Sequence, residues 1–193
     1  MEAQLKLAPI LRIQELEKLD ISSKTPNKAG VMAMFYPDKH GITHLVLILR
    51  KTYQGVHSNQ VGFPGGRVEK IDKNLRHTAL RETEEEIGVP GKEIKVIKRL
   101  TRLYIPPSNF WVYPYVGIFE KTPNFIPQEA EVEQVLEVAL FDLLNEENLI
   151  TQTLTTSYAE EIEVPAFFLS GQVVWGATAM MLSELKEMLK SML

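Results

Sequence analysis

Arg81, Glu82, Glu85 and Glu86 fall in one segment of the 193-residue chain, preceded by Gly65 and Gly66 and followed by Gly88 and Pro90. At roughly 100° per residue, a helix places Glu82, Glu85 and Glu86 on one face and turns Leu80, Thr83 and Ile87 away from it. Three carboxylates at these spacings repel one another by roughly a few tenths of a kcal/mol per pair. A divalent cation offsets that repulsion, and carboxylate oxygens suit Mg²⁺ or Mn²⁺, ions that commonly bridge protein to substrate phosphate. Arg81 lies one turn before Glu85, where it can orient that side chain. A solvated acidic helix face is the plain alternative for any Glu-rich helix. The flanking residues argue for more. Gly65 and Gly66 allow a tight turn and close backbone approach before the helix, Gly88 occupies the C-terminal capping position, and Pro90 blocks continuation.

Other side chains are candidates with two readings each. Arg50 ends an apolar run beside the glycine-rich loop, and its guanidinium suits a substrate phosphate, or it is an exposed strand-end arginine. His57 contacts substrate or orders its loop, and the structural role is favoured. Trp111 and Tyr113 alternate along an expected strand and have the rings to stack on an adenine; core packing is favoured. The segment 128–135 offers Glu129, Glu131 and Glu133, either as a distant source of a catalytic carboxylate or as exposed loop residues.

These groups need a frame. Val31–Phe35 and His44–Leu49 predict two strands joined around the turn-rich residues 37–41, with 24–29 as a loop. Residues 93–104 and 110–119 predict two more strands, separated by a loop at Pro106 and Pro107. A short helix is expected over 141–148, late strands over 151–154 and 162–169, and an amphipathic closing helix over 178–192. Residues 3–19 carry apolar and charged residues at helical spacing and predict an arm that packs on the domain, capping its own core or serving a dimer contact.

Composition narrows the classes. One compact domain is expected of a chain of this length with 45% hydrophobic residues. Lys plus Arg number 21 against 25 Asp plus Glu, a net charge of −4, so no broad nucleic-acid footprint is present. The absence of cysteine excludes a disulfide framework. The first twenty residues hold no apolar stretch for secretion or spanning, so a cytoplasmic protein without membrane attachment is expected.

The run Arg81-Glu82-Thr83-Glu84-Glu85-Glu86-Ile87-Gly88-Val89 resembles the second half of the Nudix box. Its first half departs: counted from Gly66, the acidic position falls on Asp72, and eight residues rather than the family's seven separate it from Arg81. With Glu69 and Asp72 spaced after Gly-Gly, this is similar to the coenzyme A pyrophosphatase branch. The run 46–50, His57, Gln60, Val61 and Phe63-Pro64-Gly65-Gly66 resemble that branch's upstream signature, although Gly55 replaces its arginine and Asn59 its glycine. Segments 104–117 and 164–179 resemble its later strands and final helix.

The resemblance implies an α/β/α sandwich with a mixed sheet, spanning 30–193 after an N-terminal arm over 1–29. It implies a metal-dependent pyrophosphohydrolase acting on coenzyme A or its thioesters and releasing 3′,5′-ADP and 4′-phosphopantetheine. The alternatives are ADP-ribose or another nucleoside diphosphate conjugate as substrate, or a non-catalytic nucleotide-binding module. Glu82 and Glu86 are implied as Mg²⁺ or Mn²⁺ ligands, with Glu85 a further ligand or orienter. Arg81 and Glu85 are implied in catalysis, and a general base outside the box falls on Glu131 or Glu133. Arg50, Gly65, Gly66 and Arg67 are implied in substrate binding.

Overall fold

The computed structural model describes residues 2–8, 24–51, 59–154 and 161–192. In chain order the elements are α1 (Glu2–Leu5), β1 (Asn27–Pro37), β2 (Thr43–Arg50), β3 (Val61–Gly62), β4 (Gly65–Arg67), α2 (Leu75–Ile87), β5 (Lys95–Arg99), β6 (Leu103–Ile105), β7 (Phe110–Ile118) and β8 (Val132–Ala139). They continue with α3 (Leu140–Leu144), β9 (Leu149–Leu154), β10 (Ile162–Leu169), β11 (Gln172–Trp175) and α4 (Gly176–Lys190).

β1 and β2 form an antiparallel hairpin that pairs Phe35 with Leu45 and Tyr36 with His44. Asp38 closes the turn by accepting from the N–H groups of His40 and Ile42, each at 2.8 Å. On its other edge β1 runs parallel to β7, from Asn27 beside Phe110 to Phe35 beside Ile118. β4 pairs with the first half of β1, β3 and β8 with β2, and β5 and β6 with β7, giving a mixed eight-stranded sheet. A three-stranded antiparallel sheet, β11-β10-β9, lies beside it.

Both faces of the central strands are covered, which explains their unbroken apolar runs. Met32, Met34, Tyr36, Val46 and Ile48 pack with Ala79 and Ile87 of α2. The alternate residues Val31, Ala33, Phe35, Leu45 and Leu47 pack against Met180, Leu182 and Leu185 of α4, with Phe167 and Leu169 of β10. α2 seats directly on β1 at Gly30, where an added Cβ would lie 2.2 Å from the Leu75 carbonyl oxygen. The N-terminal residues join the α4 side: Leu7 and Ala8 are buried there, and Gln4 Nε2 donates to the Thr101 carbonyl and to Glu184. No described helix is long and apolar enough to cross a membrane.

Several expected boundaries move. Residues 27–29, read as loop, are the start of β1, because pairing with β4 and β7 supplies hydrogen bonds that local composition does not reveal. The strand expected over 93–104 divides into β5 and β6, which pair with successive parts of β7. Residues 132–135, taken with an acidic loop, begin strand β8 against β2. Trp111 and Tyr113, expected in the core, are partly exposed. Of the arm expected over 3–19, residues 9–19 lie outside the described residues, as do Gly55 and His57.

Candidate catalytic carboxylate site

α2 is set at both ends by its own sequence. Asn74, in extended backbone, caps the start by accepting from the His77 N–H at 3.0 Å. Gly88 ends the helix with φ +73, and its N–H donates to the Glu84 carbonyl. Thr83 occupies a buried position without an unmet polar group, since its hydroxyl donates to the Ala79 carbonyl at 2.7 Å.

The Gly65–Gly66 strand lies across this helix and leaves no room for side chains. A Cβ on Gly65, whose φ is +151, would meet the Gly30 carbonyl oxygen at 2.5 Å; one on Gly66 would meet the Glu82 carboxylate at 2.4 Å. Glu86 is thereby buried to 1% exposure, with Oε2 accepting from the Gly65 N–H at 2.7 Å. Its Oε1 lies 3.2 Å from the Arg50 guanidinium yet has no hydrogen-bond partner. Burial pushes the Glu86 carboxyl up to about 7, opposed by Arg50 and the Gly65 N–H and reinforced by Glu82 and Glu131. Glu82 is raised for the same first reason, burial, with Arg81 opposing.

Arg81 is the hub of the second layer. Its Nε and a terminal nitrogen each donate to Asp72 at 3.0 Å, while the same nitrogen lies 2.9 Å from Glu82. The other terminal nitrogen donates to Glu85 at 2.8 Å, and the Arg67 carbonyl accepts from Arg81 at 3.2 Å. The Asp72 carboxylate is fully enclosed and also accepts from the Glu69 N–H, His77 Nδ1 and the Thr78 hydroxyl. Five donors on two oxygens, Arg81 foremost, hold its carboxyl well below the usual carboxylate range. Asp72 in turn raises the Arg81 guanidinium further above its ordinary value.

The three-carboxylate face expected on α2 is therefore divided. Glu82 and Glu86 face the glycine strand, whereas Glu85 is drawn onto Arg81 and stands 55% exposed. Among the described residues no three acidic or histidine side chains enclose a common point closely enough to hold an ion. Arg50 and Arg81 supply the countercharge that Glu86 and Glu82 require. The donor chemistry nonetheless fits a hard cation: oxygen ligands only, two carboxyls raised by burial, and one buried oxygen with an unfilled lone pair.

Two more carriers of charge arrive from β-structure. Arg50 ends β2 where its register with β8 shifts, a bulge that re-aims the side chain toward Glu86. Residues 126–128 bond to the end of α2, Ile126 N–H to the Ile87 carbonyl and Gln128 N–H to the Glu86 carbonyl, and so carry the following glutamates in. Glu131 is exposed and close enough to raise both Glu82 and Glu86, while Glu133 pairs with Lys51 at 3.9 Å. Arg67 is exposed and contributes its carbonyl to Arg81. Sequence reasoning missed the shared role of His77 and Thr78. Their signal was position: both fall in the first turn after the Asn74 cap, facing back toward Asp72.

Residues 26–155 match a model of the NUDIX domain. The chain is 32% identical over 157 residues to a Pectobacterium atrosepticum protein described as an uncharacterized Nudix hydrolase, NudL, covering 76% of this chain and 75% of that protein. It is 33% identical over 164 residues to Nudix hydrolase 22, chloroplastic, of Arabidopsis thaliana, covering 81% of this chain and 53% of that one. A Nudix hydrolase from M. smegmatis, RenU, shares the fold with a TM-score of 0.59 over 87% of this chain and 88% of its own, at 12% identity. A family match running from β1 to the end of β9, over a glycine strand laid on a glutamate-bearing helix, establishes that the chain belongs to the Nudix hydrolases, pyrophosphohydrolases that use divalent metal ions and act on small nucleotide substrates.

Proposed function

We propose that the protein hydrolyses the diphosphate bridge of coenzyme A or its thioesters, releasing 3′,5′-ADP and (acyl-)4′-phosphopantetheine, with Mg²⁺ or Mn²⁺ held by Glu82 and Glu86. The observation that carries the reaction class is Glu86: a buried carboxylate fixed by the Gly65 N–H, with its second oxygen lacking a hydrogen-bond partner beside Arg50. A bound divalent ion supplies charge neutralisation at the diphosphate and activation of water. The chain's own residues supply the rest. Arg50, partly exposed and loosely held at 3.2 Å, is free to exchange its contact with Glu86 for a phosphate oxygen. Asp72 fixes Arg81, and Arg81 fixes Glu82 and Glu85. Glu131, exposed above Glu82 and Glu86, accepts the proton of the attacking water in preference to Glu133, which is engaged by Lys51.

Support for the coenzyme A branch comes from its upstream signature. Asn59, where the branch has glycine, takes φ +53, the left-handed conformation that glycine favours and asparagine tolerates best among other residues. The substitution keeps the turn. Gly55, where the branch has arginine, favours the second reading, in which ADP-ribose or another nucleoside diphosphate conjugate is cleaved by the same machinery. Incubation with Mg²⁺ and coenzyme A, acetyl-CoA, ADP-ribose or diadenosine polyphosphates, with products identified by mass, separates the two. Release of 3′,5′-ADP is expected; cleavage of ADP-ribose with coenzyme A untouched overturns the first reading.

A further inference from the structure

On the other side of α2 from the carboxylates, the structure gathers arginines and aromatic rings that the hydrolytic reaction does not use. Tyr113 sits beside Gly30 across β1 and β7, and Gly66 sits beside Gly30 on the opposite edge. Two strand spacings, about 10 Å, thus separate Tyr113 from the catalytic loop, with α2 standing over Gly30 between them. Trp111, Tyr113 and Tyr115 alternate along β7, share the face toward α2, and are each partly exposed.

Cations cover this face. The Arg102 guanidinium lies over the Trp111 ring at 4.3 Å from its centroid and donates to the Tyr113 hydroxyl at 3.5 Å. Arg99 lies directly across from Tyr115 in the β5–β7 register, and Arg99 and Arg76, the latter from the first turn of α2, are both within electrostatic reach of the Tyr115 hydroxyl. Among the described residues, none of these three arginines has a carboxylate partner, in a chain whose net charge is −4. Arg50 and Arg81, by contrast, both stand against carboxylates. Guanidinium groups gathered on one face without a carboxylate partner favour a bound anion. A guanidinium lying over an indole retains in-plane N–H donors beyond the one that Tyr113 accepts and offers a second flat surface.

We propose that this face binds a nucleoside monophosphate at a second, non-catalytic site, the base stacking on the Arg102–Trp111 pair and the phosphate lying between Arg76 and Arg99. The cations are few and local, and the overall charge is negative, which suits one nucleotide better than a polyanionic strand. This site is independent of the substrate assigned to the carboxylates.

The test uses Trp175→Phe, which leaves Trp111 the only tryptophan of the chain's two. With EDTA present to keep divalent ions away, AMP is titrated while Trp111 fluorescence is followed. Saturable quenching is expected, weakened about tenfold or more when adenosine or ribose 5-phosphate replaces AMP, since each lacks one of the two recognised groups. Arg76→Gln with Arg99→Gln is expected to weaken AMP binding similarly, and Glu82→Gln to leave it unchanged. Absence of saturable quenching overturns the site, as does binding that survives the double arginine change or is lost with Glu82→Gln. Tight binding of oligo(dA) that strengthens with length, with AMP inert, overturns the mononucleotide assignment in favour of a single-stranded nucleic acid.

Discussion

Glu86 sits under an unusual electrostatic load for a surface enzyme site: burial favours its neutral form, while Arg50 and the Gly65 N–H favour its charge. Glu86→Gln preserves the shape and still offers an amide oxygen to Gly65, so the fold is expected to persist. It removes the ligand charge, and turnover should fall by at least about a hundredfold, beyond the usual effect of an outer-layer change. Divalent-ion binding measured by calorimetry should weaken in parallel; near-normal turnover would refute the ligand role. Asp72 makes a different prediction because its carboxyl is depressed, not raised. In the unfolded chain it titrates near about 3.9. A lower folded value means that its stabilisation is fully present above that pH and is lost as pH falls through and below it. Asp72→Asn leaves the largely buried Arg81 without its main partner and should cost about 3 kcal/mol at neutral pH. Urea denaturation at pH 7 and pH 3 checks this: the gap between wild type and variant should narrow at the lower pH, and a gap independent of pH would show that the ion pair is not its source.

At the scale of elements, the site depends on the contact between β4 and α2. Gly66→Ala places a methyl group 2.4 Å from where the Glu82 carboxylate stands, so the side chain or the strand must yield. The expected result is a loss of divalent-ion affinity by roughly tenfold or more with a smaller loss of stability, because the displaced group is a side-chain end. Calorimetry and thermal unfolding on the same variant separate the two effects; unchanged ion affinity would show that Glu82 has no role in holding it. This contact also marks what was readable from sequence. The helix, its C-terminal glycine, the glycine turn and the shared face of Glu82 and Glu86 follow from local spacing, because each depends on residues within a few turns of one another. The divergence of Glu85 was less readable, since it depends on where Asp72 places Arg81. β8 was missed because its glutamates read as loop, while Val132, Leu136 and Val138 gain their strand character only by lying against β2. The proposed preference for Glu131 over Glu133 likewise depends on that pairing and on Lys51.

Across the whole molecule, the central sheet separates two cores with different duties. The α2 side carries the carboxylates, while the α4 side collects the N-terminal residues, the small sheet and the closing helix. The first residues are held there by polar contacts as well as burial: Glu184 accepts from Gln4 and from both the N–H and the hydroxyl of Thr101, and Ser183 donates to the Ala3 carbonyl at 2.6 Å. This arrangement uses residues 2–8 as cover for the face of the sheet opposite the carboxylates. Leu7, only 4% exposed, is the side chain on which that cover rests. Leu7→Ala should cost about 2 to 4 kcal/mol, as deletions from packed cores do. Between it and Glu86 stand β1 and β2, each packed on both faces, so the loss should stay on its own side. Turnover at a temperature where both proteins remain folded should match wild type within about twofold, since sites this far apart without shared partners act nearly independently. Urea denaturation and initial rates measured on one preparation decide the matter: a stability loss accompanied by an equal loss of turnover would mean that the sheet transmits strain from one core to the other.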